Sequence, residues 1–206
     1  MAHHQPFQVT GFHSCDKEIG LKVLNGLAEL NHSANKWDWL GEGIYFWEQN
    51  PLRALEYANE SAQGDQFNKV RIKTPFVLGA IIELGTCLNL IEPQSLVVLN
   101  EAYYEMVKVY EVAEKKMPVN KGNNRALDCA VIKFVHQSRK EVNEPPYDTI
   151  RCAFTEGEEV YPGASFTSRG HIQICVLNDA LIKAYFLPRP IEMYNPYIKE
   201  VFIASG

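Results

Sequence analysis

The sequence predicts a single α+β domain, and three observations carry that prediction. Apolar strand-like runs alternate with short helical patterns over the first ninety residues or so, then strands return near the C-terminus after a long helical stretch. Helices and strands are segregated rather than strictly alternating, which favours α+β over a parallel doubly wound sheet. The chain has 206 residues, of which 46% are hydrophobic, enough to bury one full core.

Taken in order, residues 7–13 alternate weakly and read as a strand. Asp16 then caps a helix that places Ile19, Val23, Leu24 and Leu27 on one face, with Gly26 near its end. Residues 30–42 are polar and without period, a loop. The apolar run Ile44, Tyr45, Phe46 and Trp47 is the next strand, opened by Gly41 and Gly43. Asn50 and Pro51 start a helix, since Asn caps and Pro suits the first turn; Ala54, Leu55 and Ala58 follow at helical spacing. Residues 62–75 read as a polar loop and residues 77–84 as a near-continuous apolar strand that residues 87–91 extend or pair with. Pro93 opens a helix whose stripe is Leu96, Leu99, Tyr103, Met106, Tyr110 and Ala113, and Pro118 ends it. A second helix over about 126–140 carries Leu127, Ala130, Val131, Phe134 and Val135. Strands are expected again at 148–154, 165–166 and 172–177, and Pro188 and Pro190 begin an irregular tail.

Composition narrows the function. A net charge of −5 argues against a broad basic footprint for duplex DNA. Five cysteines, an odd number with no C-x-x-C spacing, argue against a disulfide framework and against a zinc site, so no metal is expected and a reducing, cytoplasmic setting is. No apolar run approaches the roughly 18 residues that a membrane span needs, and the N-terminus lacks a signal-peptide apolar region. Gly41 and Gly43 are no Rossmann fingerprint, because they precede their strand and a third Gly is missing.

The pattern with most to say is Gly11, Phe12, His13 and Ser14 on one short strand, a helix, then Gly41, Gly43, Ile44, Tyr45 and Phe46 some thirty residues on, followed by a second helix. This resembles the NAD-binding core of the ADP-ribosyltransferases, in particular the diphtheria-toxin-like, poly(ADP-ribose)-polymerase-like branch. The resemblance covers residues 9–60 well and residues 76–91 and 148–187 loosely. It implies a split antiparallel β-sheet core with flanking helices, one catalytic domain over residues 1–206, and a helical insert over about 93–141 for which no motif carries over. It also implies NAD+ as substrate and cleavage of its nicotinamide–ribose bond.

The resemblance assigns roles residue by residue. His13 would hold the adenosine-side ribose and the backbone at Ser14 the nicotinamide amide, Ser14 standing where the family usually has Gly. Tyr45 and, with a one-residue insertion, Tyr57 would clamp the nicotinamide ring, with Ala54 as the small residue of that helix; without the insertion Arg53 takes the position of the family's serine. Gln173 stands where many members have Glu, and it would orient the reacting ribose, with His171 two residues away on the same face of a strand. Members lacking the Glu are usually mono-transferases or inactive, so polymer formation is not expected.

Because cleavage passes through an oxocarbenium-like cation, a nearby negative charge helps. Glu48, Glu156, Glu158 and Glu159 are the carboxylates that the sequence offers for it. Arg125, Arg151 and Arg169 are candidates for gripping the NAD pyrophosphate through a bidentate fork. The acceptor stays open among protein side chains, single-stranded nucleic acid, on which Trp37, Trp39 and Trp47 offer stacking faces, and water, which would make the protein an NAD glycohydrolase. A non-catalytic NAD or ADP-ribose reader is the alternative of a different class. By resemblance alone, size and composition look like a bacterial or phage effector, a toxin or defence enzyme. Such a protein calls for an inhibitory partner where its target shares the cell.

Overall fold

The computed structural model describes residues 4–35, 38–64, 72–122 and 124–198. Along them run β1 (His4–Asp16), α1 (Lys17–Leu24), β2 (Ile44–Glu48), α2 (Pro51–Gln63), β3 (Pro75–Asn89), α3 (Pro93–Val112), α4 (Ala126–Glu141), β4 (Thr149–Phe154), β5 (His171–Val176), β6 (Ile182–Phe186) and α5 (Ile191–Tyr194).

Local chemistry sets the boundaries. The Asp16 carboxylate accepts the Glu18 N–H at 3.0 Å, which starts α1, and the Lys73 and Thr74 N–H groups at 2.8 and 3.0 Å, which ties the approach to β3 onto the end of β1. Asn50 Oδ1 accepts the Arg53 N–H at 3.0 Å ahead of Pro51, and α2 stops at Gly64, whose φ of 95° suits a residue without Cβ.

The strands form one mixed six-stranded sheet in the order β1-β2-β5-β4-β3-β6, and β1 also pairs β3. The fold is α+β. Every pairing is antiparallel except β3–β4, which runs parallel over Cys87–Asn89. The β1–β3 ladder is long, from His4↔Thr86 to Asp16↔Pro75, whereas β1 meets β2 only at Gly11↔Glu48 and Phe12↔Trp47. That two-pair seam matters for the site.

Three apolar clusters hold the layers. Phe46, Phe76, Leu78, Ile82, Ile174 and Val176 pack under α1. Leu88, Ile150 and Cys175 are covered by Ala102 and Met106 of α3 and Val131, Ile132 and Val135 of α4, so residues 93–141 cover one face of the sheet. Phe12, Trp47 and Val77 pack against Ala54 on the inner face of α2.

The structure departs from the sequence expectation in several places. Ile19 on α1 is 41% exposed with Gly20 buried in its stead, and Leu27, expected on the same face, lies past the helix end at Leu24 and is 77% exposed. A Cβ on Gly20 would come within 2.3 Å of the Phe76 ring, so the close approach of helix to strand selects the glycine face. On α3, Leu96 and Ala113 face solvent while Ala102 is buried, because the helix outruns its cover at both ends. Residues 165–166 form no named strand; the segment is a turn closed by the isolated bridge Glu159↔Thr167 and by the Val160 N–H on the Phe166 carbonyl at 3.0 Å. Residues 182–186, to which no element is assigned above, form β6 on the edge of β3. Residues 75–89 are one strand, bent at Gly85, where φ is 58°. No helix among the described residues is long and apolar enough to cross a membrane.

Candidate functional site

The β1–β2 ladder ends after two residue pairs, a notch in the backbone pairing. The Thr10 carbonyl accepts the Gln49 N–H at 2.9 Å, and Phe12 lies opposite Trp47, so the even-numbered residues of β1 turn their backbone polar groups toward β2. Ser14 is next in that series. On its other side its register partner Val77 has both backbone groups taken by the buried Asn195 side chain, the N–H at 2.8 Å and the carbonyl at 3.0 Å. Ser14 therefore directs one N–H donor and one carbonyl acceptor toward β2. There the β1–β2 pairing has ended, and the Tyr45 carbonyl bonds the His13 ring at Nδ1 (2.8 Å) instead.

A carbonyl only accepts, so His13 Nδ1 carries the proton and Nε2 presents a lone pair. Burial lowers the His13 pKa from 6.5, with the Tyr45 carbonyl opposing it, which keeps the ring neutral near pH 7. The Ser14 hydroxyl turns the other way and donates to the Ala54 carbonyl, locking β1 onto α2. Ala54 itself is fully buried beside Phe12, Trp47 and Val77.

Tyr45 is half-buried against the α3–α4 cluster. Its hydroxyl accepts the Leu40 N–H at 3.0 Å and donates to the Gly41 carbonyl at 2.7 Å, so the tyrosine staples the loop before β2. Burial raises its pKa far above the usual tyrosine range. Glycine is required in this turn: φ is 81° at Gly41, and a Cβ on Gly43 would sit 2.5 Å from Cys175 Sγ and 2.7 Å from the Val176 carbonyl oxygen.

Beyond the notch stands an aromatic and charged wall. Trp47 lies 5.1 Å from Tyr57 and 6.4 Å from His171 between ring centroids, and Phe154 lies 5.7 Å from His171. The Arg53 guanidinium, 5.8 Å from the Trp47 ring, donates from Nη2 to Glu156 at 3.0 Å. His171 Nδ1 donates to the Arg169 carbonyl at 2.8 Å, and burial is the main cause of its lowered pKa. Gln173 is half-buried opposite Trp47 in register and shares the His171 face of β5. Trp47 Nε1, Arg53 Nε and Nη1, Thr167 Oγ1 and His171 Nε2 are buried with no hydrogen-bond partner among the described residues.

The carboxylates divide. Glu48 is held by Arg151 through a bidentate pair, Oε2 to Nε at 2.5 Å and Oε1 to Nη2 at 2.9 Å. It lies on the strand face opposite Trp47 and Tyr45, away from Gln173. Glu156 reaches the wall but is neutralised by Arg53. Glu158 and Glu159 are exposed, and Glu159 closes its own turn by accepting the Gly163 N–H at 2.8 Å. Of the arginines offered for a pyrophosphate, Arg151 is committed to Glu48, Arg169 pairs Glu60 at 2.8 Å, and Arg125 lies over the Trp39 ring at 5.1 Å. Trp39 packs edge-on to Phe154 at 4.7 Å, while Trp37 lies outside the described residues.

The structure thus brings His13 to Tyr45, Ser14 to Ala54, and Tyr57, Trp47, His171, Gln173 and Glu156 to one wall. Sequence reasoning missed the pairing of Arg53 with Glu156 and of Arg151 with Glu48. Each spans 103 positions, and nothing local signals it. A cavity of about 400 Å³ borders the seam through Thr10, Phe12 and Gln49; a larger one of about 840 Å³ lies elsewhere, against α4, and includes none of the residues singled out from the sequence. Comparisons with protein-family models, with curated proteins and with solved structures find no match for this chain.

Proposed function

We propose that this chain is an NAD+-dependent mono-ADP-ribosyltransferase with the split-sheet architecture of the ADP-ribosyltransferase superfamily, passing ADP-ribose to a protein or single-stranded nucleic-acid acceptor. The observation that carries the reading is the notch. A nicotinamide carboxamide offers a carbonyl acceptor and an amide donor, and the Ser14 backbone supplies the complementary donor and acceptor in one extended unit. The His13 lone pair beside it suits a ribose hydroxyl.

In the proposed reaction the ribose C1′–nitrogen bond breaks and its electron pair leaves with nicotinamide. The acceptor's nucleophilic atom bonds C1′ and gives up its proton to solvent. His13 and the Ser14 backbone bind, Tyr45 and Tyr57 supply ring faces for nicotinamide, and Gln173 directs a carbonyl dipole at the developing cation. With Glu48 and Glu156 each paired to an arginine, positioning rather than a bare carboxylate carries the rate, which fits single transfer and not polymer growth.

The test is nicotinamide release from NAD+ by purified protein, alone and with cell lysate, followed by mass spectrometry for added ADP-ribose. Release with a labelled macromolecule is expected, and His13→Ala should lower it by about a hundredfold. Release without label identifies a glycohydrolase. The same two arginine pairs favour a second reading, a non-catalytic NAD or ADP-ribose reader. That reading expects saturable NAD+ binding with no release of nicotinamide. Absence of NAD+ binding refutes both.

A further inference from the structure

The cavity of about 840 Å³ lies between α4, the loop at 40–42 and the loop at 143–146. Its size is that of a small-molecule pocket, roughly 300–1,000 Å³. The floor is apolar: Leu40 and Ile132 are 2% and 3% exposed, and Leu177 adjoins them. The polar wall comes from one face of α4, where Lys133, His136, Gln137 and Lys140 follow at helical spacing.

Charge on that wall is nearly cancelled. Glu42 pairs Lys133 at 2.6 Å and Glu144 pairs Arg139 at 2.7 Å. Lys140 has no carboxylate within ion-pair distance among the described residues, so its ammonium is the unpaired charge of a lining that otherwise consists of paired groups. One turn back, His136 Nε2 is buried without a hydrogen-bond partner among the described residues. Its ring is fixed edge-on to Tyr147 at 5.9 Å, and Arg139 covers Tyr147 at 4.3 Å. Burial, and then the Arg139 charge, keep that imidazole neutral, so in its Nε2–H tautomer it is a donor one helical turn from Lys140.

We infer that this cleft binds a small amphipathic anion, an aromatic or short acyl body with one carboxylate or sulfonate. The body would lie on Leu40, Ile132 and Leu177, and the anionic head between His136 and Lys140. Leu40 is shared with the Tyr45 staple, so the occupant would steady the loop that leads into β2. This inference rests on the cleft alone and is independent of NAD+ chemistry.

The experiment is a fluorescence titration of the full chain with 8-anilinonaphthalene-1-sulfonate, beside its uncharged relative N-phenyl-1-naphthylamine. Expected are single-site saturation by the sulfonate, weaker binding of the uncharged ring system, and slower amide exchange at Leu40 in the complex. Lys140→Glu should weaken sulfonate binding about tenfold. Gln137→Trp, which fills the cleft from its rim, should abolish it. Both positions are exposed, so thermal midpoints should hold. Absence of saturable binding, an affinity that either variant leaves unchanged, or an uncharged probe that binds as tightly overturns the inference.

Discussion

Replacing Glu48 with Gln separates structure from catalysis more sharply than any other change at this site. Glu48 and Arg151 form a bidentate pair whose side chains are 10% and 18% exposed, and that guanidinium also donates from Nη1 to Asn89 Oδ1 at 3.4 Å. Glutamine keeps one acceptor oxygen for Arg151 but removes the charge, leaving a mostly buried guanidinium uncompensated. Breaking a buried pair costs about 3–5 kcal/mol, and the residual exposure of Arg151 with its Asn89 contact puts this one near the lower end, about 3 kcal/mol. For a chain of this size each kcal/mol is worth roughly 2–4 °C, so the thermal midpoint should fall by about 6–12 °C. A urea titration of wild type, Glu48→Gln, Arg151→Met and the double variant measures the coupling; the double variant should recover about half or more of the loss, since no unpaired charge remains. At a temperature where all are folded, nicotinamide release by Glu48→Gln should stay within a few fold of wild type. A variant of unchanged stability that has lost release by about a hundredfold would refute the reasoning and make Glu48 the catalytic carboxylate.

Other outcomes follow from the same geometry. Ser14→Ala removes the hydroxyl bond to the Ala54 carbonyl and should cost about 1 kcal/mol in urea unfolding, yet release should stay within about threefold, because the backbone of Ser14 and not its side chain holds the amide. Tyr45→Phe strips the Leu40 N–H and the Gly41 carbonyl of their partner; it should cost about 1–3 kcal/mol and speed amide exchange at Leu40, measured by NMR. His13, His136 and His171 are all held below 6.5 chiefly by burial. Below that value the unfolded chain binds protons that the folded chain does not, so their contribution is full above about pH 6.5 and is lost as pH falls through the folded values. The urea midpoint should therefore drop between about pH 7.5 and about pH 5, and His136→Gln should flatten that drop; an unchanged slope would show that His136 titrates normally.

Element type and most helix boundaries were legible in the sequence because they depend on neighbours in the chain. The Asp16 cap, the Asn50–Pro51 start and the glycine turn before β2 each act within a few residues, and each appears where the local pattern put it. The α+β class followed from the order of such segments. What a helix buries was less legible: periodicity marks an apolar stripe on α1, but Phe76, far along the chain, decided that Gly20 would face inward. β6 was not legible, since an edge strand of five residues gains its pairing only from β3.

The candidate site divides along the same line. His13, Ser14, Gly41, Gly43 and Tyr45 stood out by type and spacing alone. That the Ser14 backbone turns its polar groups to β2 and not to β3 was decided by the β1–β3 register, in which Asn195 takes both polar groups of Val77 from the far side of β3. Which carboxylates carry an unpaired charge was likewise decided by Arg53 and Arg151, each 103 positions from its partner. By itself the sequence determined the class of fold, the turns and the residue types that meet at the β1–β2 seam. The tertiary structure alone decided their hydrogen-bonding state and their charge, because both depend on what burial and distant strands leave unpaired.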